Sequence, residues 1–323
     1  MAGDALYHDG VYKDGKLPDG NYSFKKQLEL IKPIVSKYDL AYYNQESILG
    51  GTKIGLSTYP RFNSPTEVGD AFLDAGFNLV STANNHTLDR GKEAIFNSLS
   101  YFQKQENVLM SGICDSFVCQ SSIATGEKNN ISYAFLSYTT TTNGIPVPKG
   151  EEYLVNLYSD ERVKEDILKI KDQVDVILVA MHWGTEYQNY PSEEQTRIAK
   201  YLADLGVTIV IGNHPHVIEP IEQIGNTLVF YSLGNFISAQ TGLDKLVGML
   251  ANVTITKTII EDQKYIAFRN IGAMLTYTYY DSKFRNFKII PFDQIDPSIL
   301  KNHQEVNQAK RDLLETYGVM LET

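Results

Sequence analysis

The sequence of 323 residues predicts an α/β fold in which a partly parallel sheet is covered by helices. Short apolar segments, typical of buried strands, alternate with amphipathic helical segments through most of the chain. A run of β-type segments begins at residue 228 and predicts a second sheet packed on the first. We expect a single domain over residues 1–323, because neither an internal repeat nor a low-complexity linker interrupts the chain.

The first half of the chain contains three predicted helices and three predicted strands. Apolar residues three or four positions apart indicate helices at residues 24–36, 65–76 and 91–105. Short apolar runs indicate strands at residues 39–43, 77–83 and 131–138. Pro33 is expected to kink or shorten the last turn of the first helix, because proline has no backbone N–H.

The second half repeats this alternation and then becomes mainly β. Helices are predicted at residues 161–171 and 192–205, the latter with Ser192 as N-cap. A terminal helix is predicted at residues 298–317. Two apolar strands are predicted at residues 174–181 and 207–211. The later β-type segments lie at residues 228–238, 249–260, 265–270, 274–280 and 287–291.

Composition and charge exclude some classes of function. Hydrophobic residues make up 43% of the chain and charged residues 21%, which is enough apolar material for a core and excludes a disordered protein. The net charge of -10 and the pI of about 5.1 argue against a nucleic-acid binder, which carries a basic face. An acidic protein also repels a polyanionic substrate unless bound metal cations reverse the local field.

The beginning of the chain and its two cysteines lead to separate expectations. Asp4 lies so close to residue 1 that a buried strand there needs more chain, so we expect a preceding segment that held a signal or a membrane anchor. Cys114 and Cys119 can form a small disulfide loop or remain buried thiols, and the thiols are favoured. No apolar run is long enough to span a bilayer.

Three histidines follow three predicted buried strands. His86, His182 and His214 each lie at or just after the carboxyl end of an apolar strand, which is the edge where open α/β sheets bind ligands. One such histidine is more often structural, but three of them point to a shared site. Further polar residues gather at the same strand ends, namely Asn44, Glu46, Asn84, Asn85 and Asp89.

The segment His214-Pro215-His216 has the spacing of a paired metal ligand. Residues two apart in an extended segment point the same way, and Pro215 favours an extended His214. We therefore expect both imidazoles to converge on one side of the chain. An H-x-H sequence also occurs on ordinary surfaces, but here it follows the apolar strand VTIVIG.

Six motifs in order carry a family resemblance. GDALYH, NQE, ANNHTLDRG, HWGTEY, GNHPHV and YSLGNF resemble the motifs of CapA-like poly-γ-glutamate capsule biosynthesis proteins, over residues 3 to about 260. That family is similar to the calcineurin-like metallophosphoesterases. The resemblance implies a two-sheet sandwich flanked by helices, with the order α-β-β-α.

The resemblance also implies site residues. The implied metal ligands are Asp4, Glu46, Asn85, His182, His214 and His216. His86 corresponds to the catalytic histidine, and Asp89 either orients His86 or caps the turn before residue 91. Leu6 stands where the D-x-H motif of those enzymes has histidine, although His8 is close enough to replace it. NQE stands in place of GDxxD, so we expect one tight metal site and one weaker site.

A hydrolase mechanism follows from this resemblance. One or two divalent cations would activate a water molecule and offset charge on phosphorus, while His86 serves as general acid. Imidazole, carboxylate and amide ligands suit manganese, iron or zinc better than calcium. The alternative is a non-hydrolytic accessory protein that binds or passes along poly-γ-glutamate. A third reading is a surface protein whose histidines are structural.

Other residues are candidates for substrate binding or support, each with a simpler explanation. Trp183, Glu186 and Tyr187 follow His182 and can shape a pocket, although Trp183 can equally pack over the strand end. Asn235 follows Gly234, a pair that a bulge or tight turn would also explain. Arg61 can bind an anion or be solvated surface. His303, on the terminal helix, is expected to be exposed and uninvolved.

The resemblance finally implies partners and a location. The substrate would be an anionic small molecule or poly-γ-glutamate, and no nucleic acid is involved. The protein would be anchored at the extracellular face of the cell membrane by a segment outside this chain, and it would work beside membrane-bound polymer synthase subunits.

Overall fold

The computed structural model describes residues 1–322, and its first sheet is wholly parallel. Each strand is short because the chain leaves the sheet at once into a polar loop. The five strands lie in the order β11 (Asn235–Ile237), β1 (Asp4–Ala5), β2 (Tyr42–Asn44), β3 (Leu79–Ser81) and β4 (Leu109–Ser111).

The second sheet has a parallel centre and an antiparallel strand at each edge. Its six strands lie in the order β5 (Ala124–Lys128), β6 (Ile131–Thr139), β7 (Val176–His182), β8 (Ile209–Asn213), β10 (Thr227–Phe230) and β9 (Ile221–Ile224). The edge strands β5 and β9 pair antiparallel, and the other pairings are parallel.

The late β-type segments form a third sheet, which differs from the expectation that they would form the second. Three antiparallel strands compose it, namely β12 (Val247–Ile260), β13 (Gln263–Tyr279) and β14 (Lys288–Pro291). Two predicted strands at 265–270 and 274–280 merge into β13, because its pairing with β12 continues through Gly272. The predicted strand at 228–238 instead divides into β10 and β11, because the chain turns at Gly234 with a φ of 69°.

Helices cover the outer faces of the first two sheets. The nine helices of the described residues are α1 (Asp9–Asp14), α2 (Lys32–Val35), α3 (Glu67–Asp74), α4 (Gly91–Phe102), α5 (Phe117–Ser121), α6 (Asp160–Ile170), α7 (Glu193–Leu205), α8 (Leu243–Leu246) and α9 (His303–Leu314). None of these helices has both the length and the apolar character that crossing a membrane requires.

Two helix predictions are worth comparing with the structure. Ser192 is the N-cap of α7 as predicted, and Gln195 completes a capping box with it. The continuous helix predicted at 24–36 is wrong. The chain forms a 3₁₀ turn at Lys25–Leu28 and then the short helix α2. Pro33 lies in the first turn of α2, where its missing N–H has no partner to lose.

Alternation along the strands separates an inner core, between the first two sheets, from an outer core on each of them. Tyr42 on β2 and Leu178 on β7 face each other's sheets and bury an inner core. Their neighbours Tyr43 and Val179 face the opposite way, and Tyr43 stacks on Phe72 of α3 with ring centroids 4.1 Å apart. Because strand residues alternate between faces, each sheet is buried on both sides. The predicted α/β sandwich of two sheets flanked by helices is therefore confirmed.

The two cysteines are bonded to each other, so the expectation of free thiols is wrong. Cys114 and Cys119 form a disulfide with their Cα atoms 5.6 Å apart, within the range that a disulfide spans. Cys119 lies in the single turn of α5, and the Ser116 side chain caps this turn by accepting from the Cys119 amide. This helical turn brings the two sulfur atoms together, which their spacing in the sequence alone does not reveal.

Candidate metal centre

The first sheet aligns three polar side chains at one level. Asp4 on β1 is in register with Asn44 on β2 and with Asn235 on β11. The β1–β11 approach depends on glycine, because a Cβ atom at Gly3 would collide with the carbonyl oxygen of Gly234. That carbonyl accepts a hydrogen bond of 3.0 Å from the Asp4 amide. The missing side chain of Gly3 thus fixes where the Asp4 carboxylate lies.

The second sheet supplies the histidines. His182 is the last residue of β7, and His214 and His216 follow β8. The His214 amide donates to Oδ2 of Asp4 at 3.2 Å, which joins the two sheets at this edge. The ring centroids of His214 and His216 lie 6.1 Å apart.

The backbone of this turn differs from the extended segment that Pro215 predicted. His214 has a φ of 101° and His216 a φ of 60°, so both residues adopt a positive φ that is uncommon outside glycine. The hydrogen bond that the His214 amide donates to Asp4 stabilises this turn. Strained backbone of this kind is concentrated at functional sites. The rings still come close together, but through a turn and not through strand alternation.

Two groups of ligand atoms share one carboxylate. One group consists of Glu46, His182 and His214, and the other of Asp4, Glu46 and His216, with ligand atoms within 4.8 Å of one another in each group. Oε1 of Glu46 lies 3.6 Å from Nε2 of His182 and 3.8 Å from Nε2 of His216. Nδ1 of His216 lies 3.4 Å from Oδ2 of Asp4. All five residues are buried.

Two asparagines border these groups. Oδ1 of Asn85 lies 2.9 Å from Nε2 of His182. The side chain of Asn44 donates to Oδ1 of Asp4 at 2.8 Å, and its own Oδ1 accepts from the Ser81 hydroxyl. Asn85 is therefore within the cluster of possible ligands, whereas Asn44 holds the Asp4 carboxylate in place.

The residues present fit a divalent cation. Glu46 is fully buried, and neither of its carboxylate oxygens has a hydrogen-bond partner within residues 1–322. A bare carboxylate is costly to bury unless a cation or donor compensates its charge. Burial, with the Asp4 carboxylate next, raises the pKa of Glu46 well above its ordinary value. Nitrogen and oxygen ligands together suit manganese, iron or zinc.

The protonation of the histidines follows from their surroundings. Burial lowers the pKa of His214 to about 4. Burial, with the repulsion between the two rings next, lowers the pKa of His182 well below its ordinary value. Both rings are therefore neutral near pH 7, as metal ligation requires. Burial also opposes the charge on His216, but Glu46 and Asp4 outweigh it and raise the pKa of His216 to about 9.

His86 and Asp89 form a buried pair beside the ligand groups. Nδ1 of His86 lies 2.7 Å from Oδ2 of Asp89, and the same oxygen accepts from the Phe62 amide at 2.6 Å. The ring of Phe62 packs edge-on against His86, with centroids 4.6 Å apart. The N-cap of α4 is Arg90, without a side-chain capping bond. Asp89 therefore contacts the imidazole, and the structure gives no support to the capping alternative.

Asn235 orients His216. Its Oδ1 atom can only accept, so the contact of 3.0 Å with Nδ1 of His216 is a bond donated by the ring. With a proton held on Nδ1, Nε2 on the side of Glu46 is the nitrogen that would give up its proton to ligate a metal. The amide nitrogen of Asn235 donates to the Lys245 carbonyl and to the side chain of Gln240. A turn alone therefore does not explain Asn235, because its side chain also contacts His216.

Two predicted site residues lie outside the ligand groups. The Trp183 ring is buried in the core under α6 and α7, where it stacks on Tyr231 and donates to the Tyr231 carbonyl at 2.9 Å. Its predicted part in a substrate pocket is therefore wrong. Nδ1 of His8 contacts the Leu6 carbonyl and the Ala239 amide, and His8 belongs to neither ligand group, so it does not replace the missing D-x-H ligand there.

The remaining candidates lie nearer the surface. Arg61 is exposed and forms no ion pair within the described part of the chain, and Glu186 is exposed as well. Tyr187 is about half exposed, and its ring stacks on His216 with centroids 6.0 Å apart. His303 is partly buried instead of exposed, and it contacts the Leu300 carbonyl at the start of α9.

Some residues of the site were not predicted from the sequence. Asn143 accepts from the Asn85 side chain at 3.3 Å, and its amide nitrogen lies 3.5 Å from Nδ1 of His86. It belongs to the polar loop after β6, and a loop after a parallel strand was a usable signal. Gln240 and Lys245 lie on a later loop and on α8, where no pattern indicated them.

Comparison with known proteins gives one family and several relatives. The family described as bacterial capsule synthesis protein PGA_cap matches residues 1–240. The chain is 32% identical over 167 residues to the PGA biosynthesis protein CapA of Bacillus subtilis (strain 168), which is 52% of this chain and 44% of that protein. It is 32% identical over 179 residues to the capsule biosynthesis protein CapA of Bacillus anthracis, which is 54% of this chain and 43% of that protein.

These matches span less than half the length of either relative. Among solved structures, the Haemophilus influenzae NAD nucleotidase (NadN) is similar with a TM-score of 0.49 and 12% identity, covering 89% of this chain and 55% of that chain.

Proposed function

The chain belongs to the bacterial capsule synthesis protein PGA_cap family, as its motifs predicted, and from this premise we propose that it is a metal-dependent hydrolase of a phosphoester or related anionic bond. The observation that carries the proposal is the pair of ligand groups sharing Glu46, next to the buried His86–Asp89 pair. A protein that only bound a polymer would have no use for a proton donor beside metal ligands.

The metal ligands in this proposal come from both sheets. Asp4 and Glu46 from the first sheet, with His182, His214 and His216 from the second, would hold one or two cations of manganese, iron or zinc. Asn85 is close enough to His182 to join them. When bound, such a cation supplies Lewis-acid catalysis, which activates water and offsets negative charge on the substrate.

The chain itself would supply the proton. Asp89 accepts from Nδ1 of His86, which fixes the orientation of the ring. Nε2 is then the atom that donates a proton to the leaving oxygen, and general acid catalysis of this kind contributes about 10²–10⁴-fold. Phe62 packs against the ring and, with the burial of His86, keeps water away from the pair.

The biological setting follows from the family. We propose that the substrate is an anionic small molecule or poly-γ-glutamate, and that the protein works at the extracellular face of the cell membrane beside polymer synthase subunits. The disulfide between Cys114 and Cys119 supports this location, because such bonds persist in oxidising compartments. Protease treatment of intact cells, with a cytoplasmic enzyme as control, tests the location. Resistance of the protein in intact cells would contradict it.

One observation favours the alternative, in which the protein binds or passes along poly-γ-glutamate without hydrolysis. Leu6 is buried where phosphoesterases of the D-x-H type have a histidine, and His8 does not take its place. The ligand groups therefore have one imidazole fewer than those of such phosphoesterases. A binding platform tolerates this loss better than a catalyst does.

Hydrolysis with defined metal content separates the two roles. We expect protein loaded with manganese, iron or zinc to hydrolyse members of a phosphoester panel, and chelation to abolish the activity. His86→Asn should retain the metal and lose about 10²–10⁴-fold in kcat. Metal-loaded protein that hydrolyses nothing on the panel but binds poly-γ-glutamate would contradict the hydrolase and favour the accessory role.

A further inference from the structure

Lys245 lies close to the site and has no counter-ion within residues 1–322. Its side chain is partly buried at the end of α8, and its ammonium forms neither a hydrogen bond nor an ion pair within residues 1–322. By contrast Lys310, on α9, pairs with the neighbouring Asp244. In a protein with a net charge of -10, an ammonium without a carboxylate partner requires an explanation.

The ammonium of Lys245 is connected to the candidate metal centre through the ring of Tyr187. Nζ of Lys245 lies 4.6 Å from the centroid of the Tyr187 ring. The Tyr187 ring in turn stacks on His216, with centroids 6.0 Å apart and planes inclined by 29°. His216 belongs to the ligand group of Asp4 and Glu46. Two ring contacts therefore connect the lysine to a metal-ligand group.

Hydrogen bonds hold both parts of this stack in place. The Tyr187 amide donates to the Pro215 carbonyl at 2.8 Å, which fixes the tyrosine to the histidine turn. Asn235 contacts Nδ1 of His216 through its oxygen and donates to the Lys245 carbonyl at 3.0 Å through its nitrogen. Asn235 thus fixes the position of the Lys245 backbone relative to the His216 ring. The position of the ammonium is therefore preorganised.

We propose that Lys245 binds the anionic group of the substrate, with the Tyr187 ring as the surface over which its ammonium is held. This inference rests on the proposed hydrolase function and adds a specificity-determining residue to it. Lysine binds phosphate and carboxylate groups as a point charge through charge-assisted hydrogen bonds. Such a cation also counters the repulsion that Asp4, Glu46 and Asp89 exert on an anionic substrate.

A different role for Lys245 must be separated from this one. Glu186 precedes Tyr187 and is exposed. If Lys245 only neutralised this carboxylate, its role would be structural. The two roles give opposite results on neutralising Glu186. If Lys245 and Glu186 form a structural pair, neutralising either residue weakens anion binding. If Lys245 binds the anion, neutralising Glu186 removes a repelling charge, and anion binding stays as strong or becomes stronger.

The test uses manganese-loaded protein and inorganic phosphate, with binding followed by calorimetry. We expect Lys245→Met to weaken phosphate binding by about tenfold or more, as for the loss of a hydrogen bond to a charged group. Lys245→Arg should retain most of the affinity. Lys200→Met is the matched control, because Lys200 pairs with Asp204 on the remote helix α7 and its loss changes net charge equally. Glu186→Gln should bind phosphate at least as tightly as wild type.

The outcomes separate the inference from the function on which it rests. Equal phosphate affinity in wild type and Lys245→Met, at equal manganese content, would overturn the role of Lys245 alone. Parallel weakening in Lys245→Met and Glu186→Gln would do the same. Wild type that holds manganese but binds no phosphate would overturn both. Melting temperatures establish that each variant is folded, and Lys245→Gln replaces Lys245→Met if the latter unfolds.

Discussion

Nε2 of His182 lies 3.6 Å from Oε1 of Glu46, although the two residues belong to different sheets. Glu46 follows β2 of the first sheet, and His182 ends β7 of the second. The ligand groups therefore exist only when the two sheets are packed together. Because the unfolded chain has no such site, the free energy of metal binding adds to the free energy of unfolding.

The first prediction concerns the paired histidines. Protein purified without chelator should contain near-stoichiometric manganese, iron or zinc, and His214→Ala and His216→Ala should each lose it. Added metal at about 100 times Kd should stabilise wild type by about 2.7 kcal/mol and leave both variants unchanged. Elemental analysis and thermal melting measure these effects. His303→Ala, which lies on α9 outside the ligand groups, is the control.

Wild type that contains no metal and melts at the same temperature with and without added metal would contradict this prediction. The buried carboxylate of Glu46 would then need another partner.

The second prediction concerns the asparagine that orients His216. Asn235→Ala removes the acceptor of the Nδ1 proton and should weaken metal binding by about 10–100-fold, the usual effect of losing a partner behind a ligand. Asn235→Asp keeps an acceptor and should lose less. Competition with a metal-sensitive dye measures the affinity. Asn97→Ala is the control, since Asn97 lies on α4 and donates to the Gly50 carbonyl. Equal affinity of Asn235→Ala and wild type would refute the orienting role.

The third prediction separates proton transfer from metal binding. Asp89→Asn keeps an oxygen for the Phe62 amide but replaces the carboxylate that binds Nδ1 of His86 with a neutral amide. We expect kcat on an active phosphoester to fall by about 10²-fold or more, with metal content and KM close to those of wild type. Asp204→Asn on α7 serves as control. A variant that loses metal together with activity would show that Asp89 acts on the ligand groups and not on His86.

The centre of the site was predictable because it depends on local sequence. Each of His86, His182 and His214 follows an apolar strand, and the carboxyl ends of parallel strands meet at one edge. This argument needs no knowledge of which strands are neighbours. It therefore predicted that His182 and His214 lie together without the order of strands in either sheet, whereas the roles of Asp4 and Glu46 came from the family resemblance.

The features that the sequence did not reveal depend on contacts between distant parts of the chain. The pairing of Asp4 with Asn235 joins residues 231 positions apart, and no periodicity predicts it. The His214 amide donates to Asp4, and His214 takes a positive φ in spite of the extended geometry that Pro215 favours. Long-range pairing also made the late β segments a third sheet.

The last prediction concerns Glu219, a buried acid near the site. The Gln195 side chain donates to its Oε2 at 2.7 Å, while Oε1 has no partner within residues 1–322. Burial raises the pKa of Glu219 from 4.5 to about 8. The folded protein therefore keeps a proton that the unfolded chain releases. The free energy of unfolding should decrease as pH rises from about 4.5 to 8, and this part of the stability is absent above that range.

Glu219→Gln replaces the acid with an amide that does not ionise and still accepts from Gln195. We expect similar stability of variant and wild type near pH 4.5, and a more stable variant at pH 9 by on the order of 3 kcal/mol. Urea denaturation in the presence of a chelator at the two pH values measures the difference. Glu305→Gln, at an exposed position of α9, controls for the change in net charge. If wild type and Glu219→Gln show the same change between these pH values, Glu219 is ionised in the folded protein and an unrecognised donor compensates its charge.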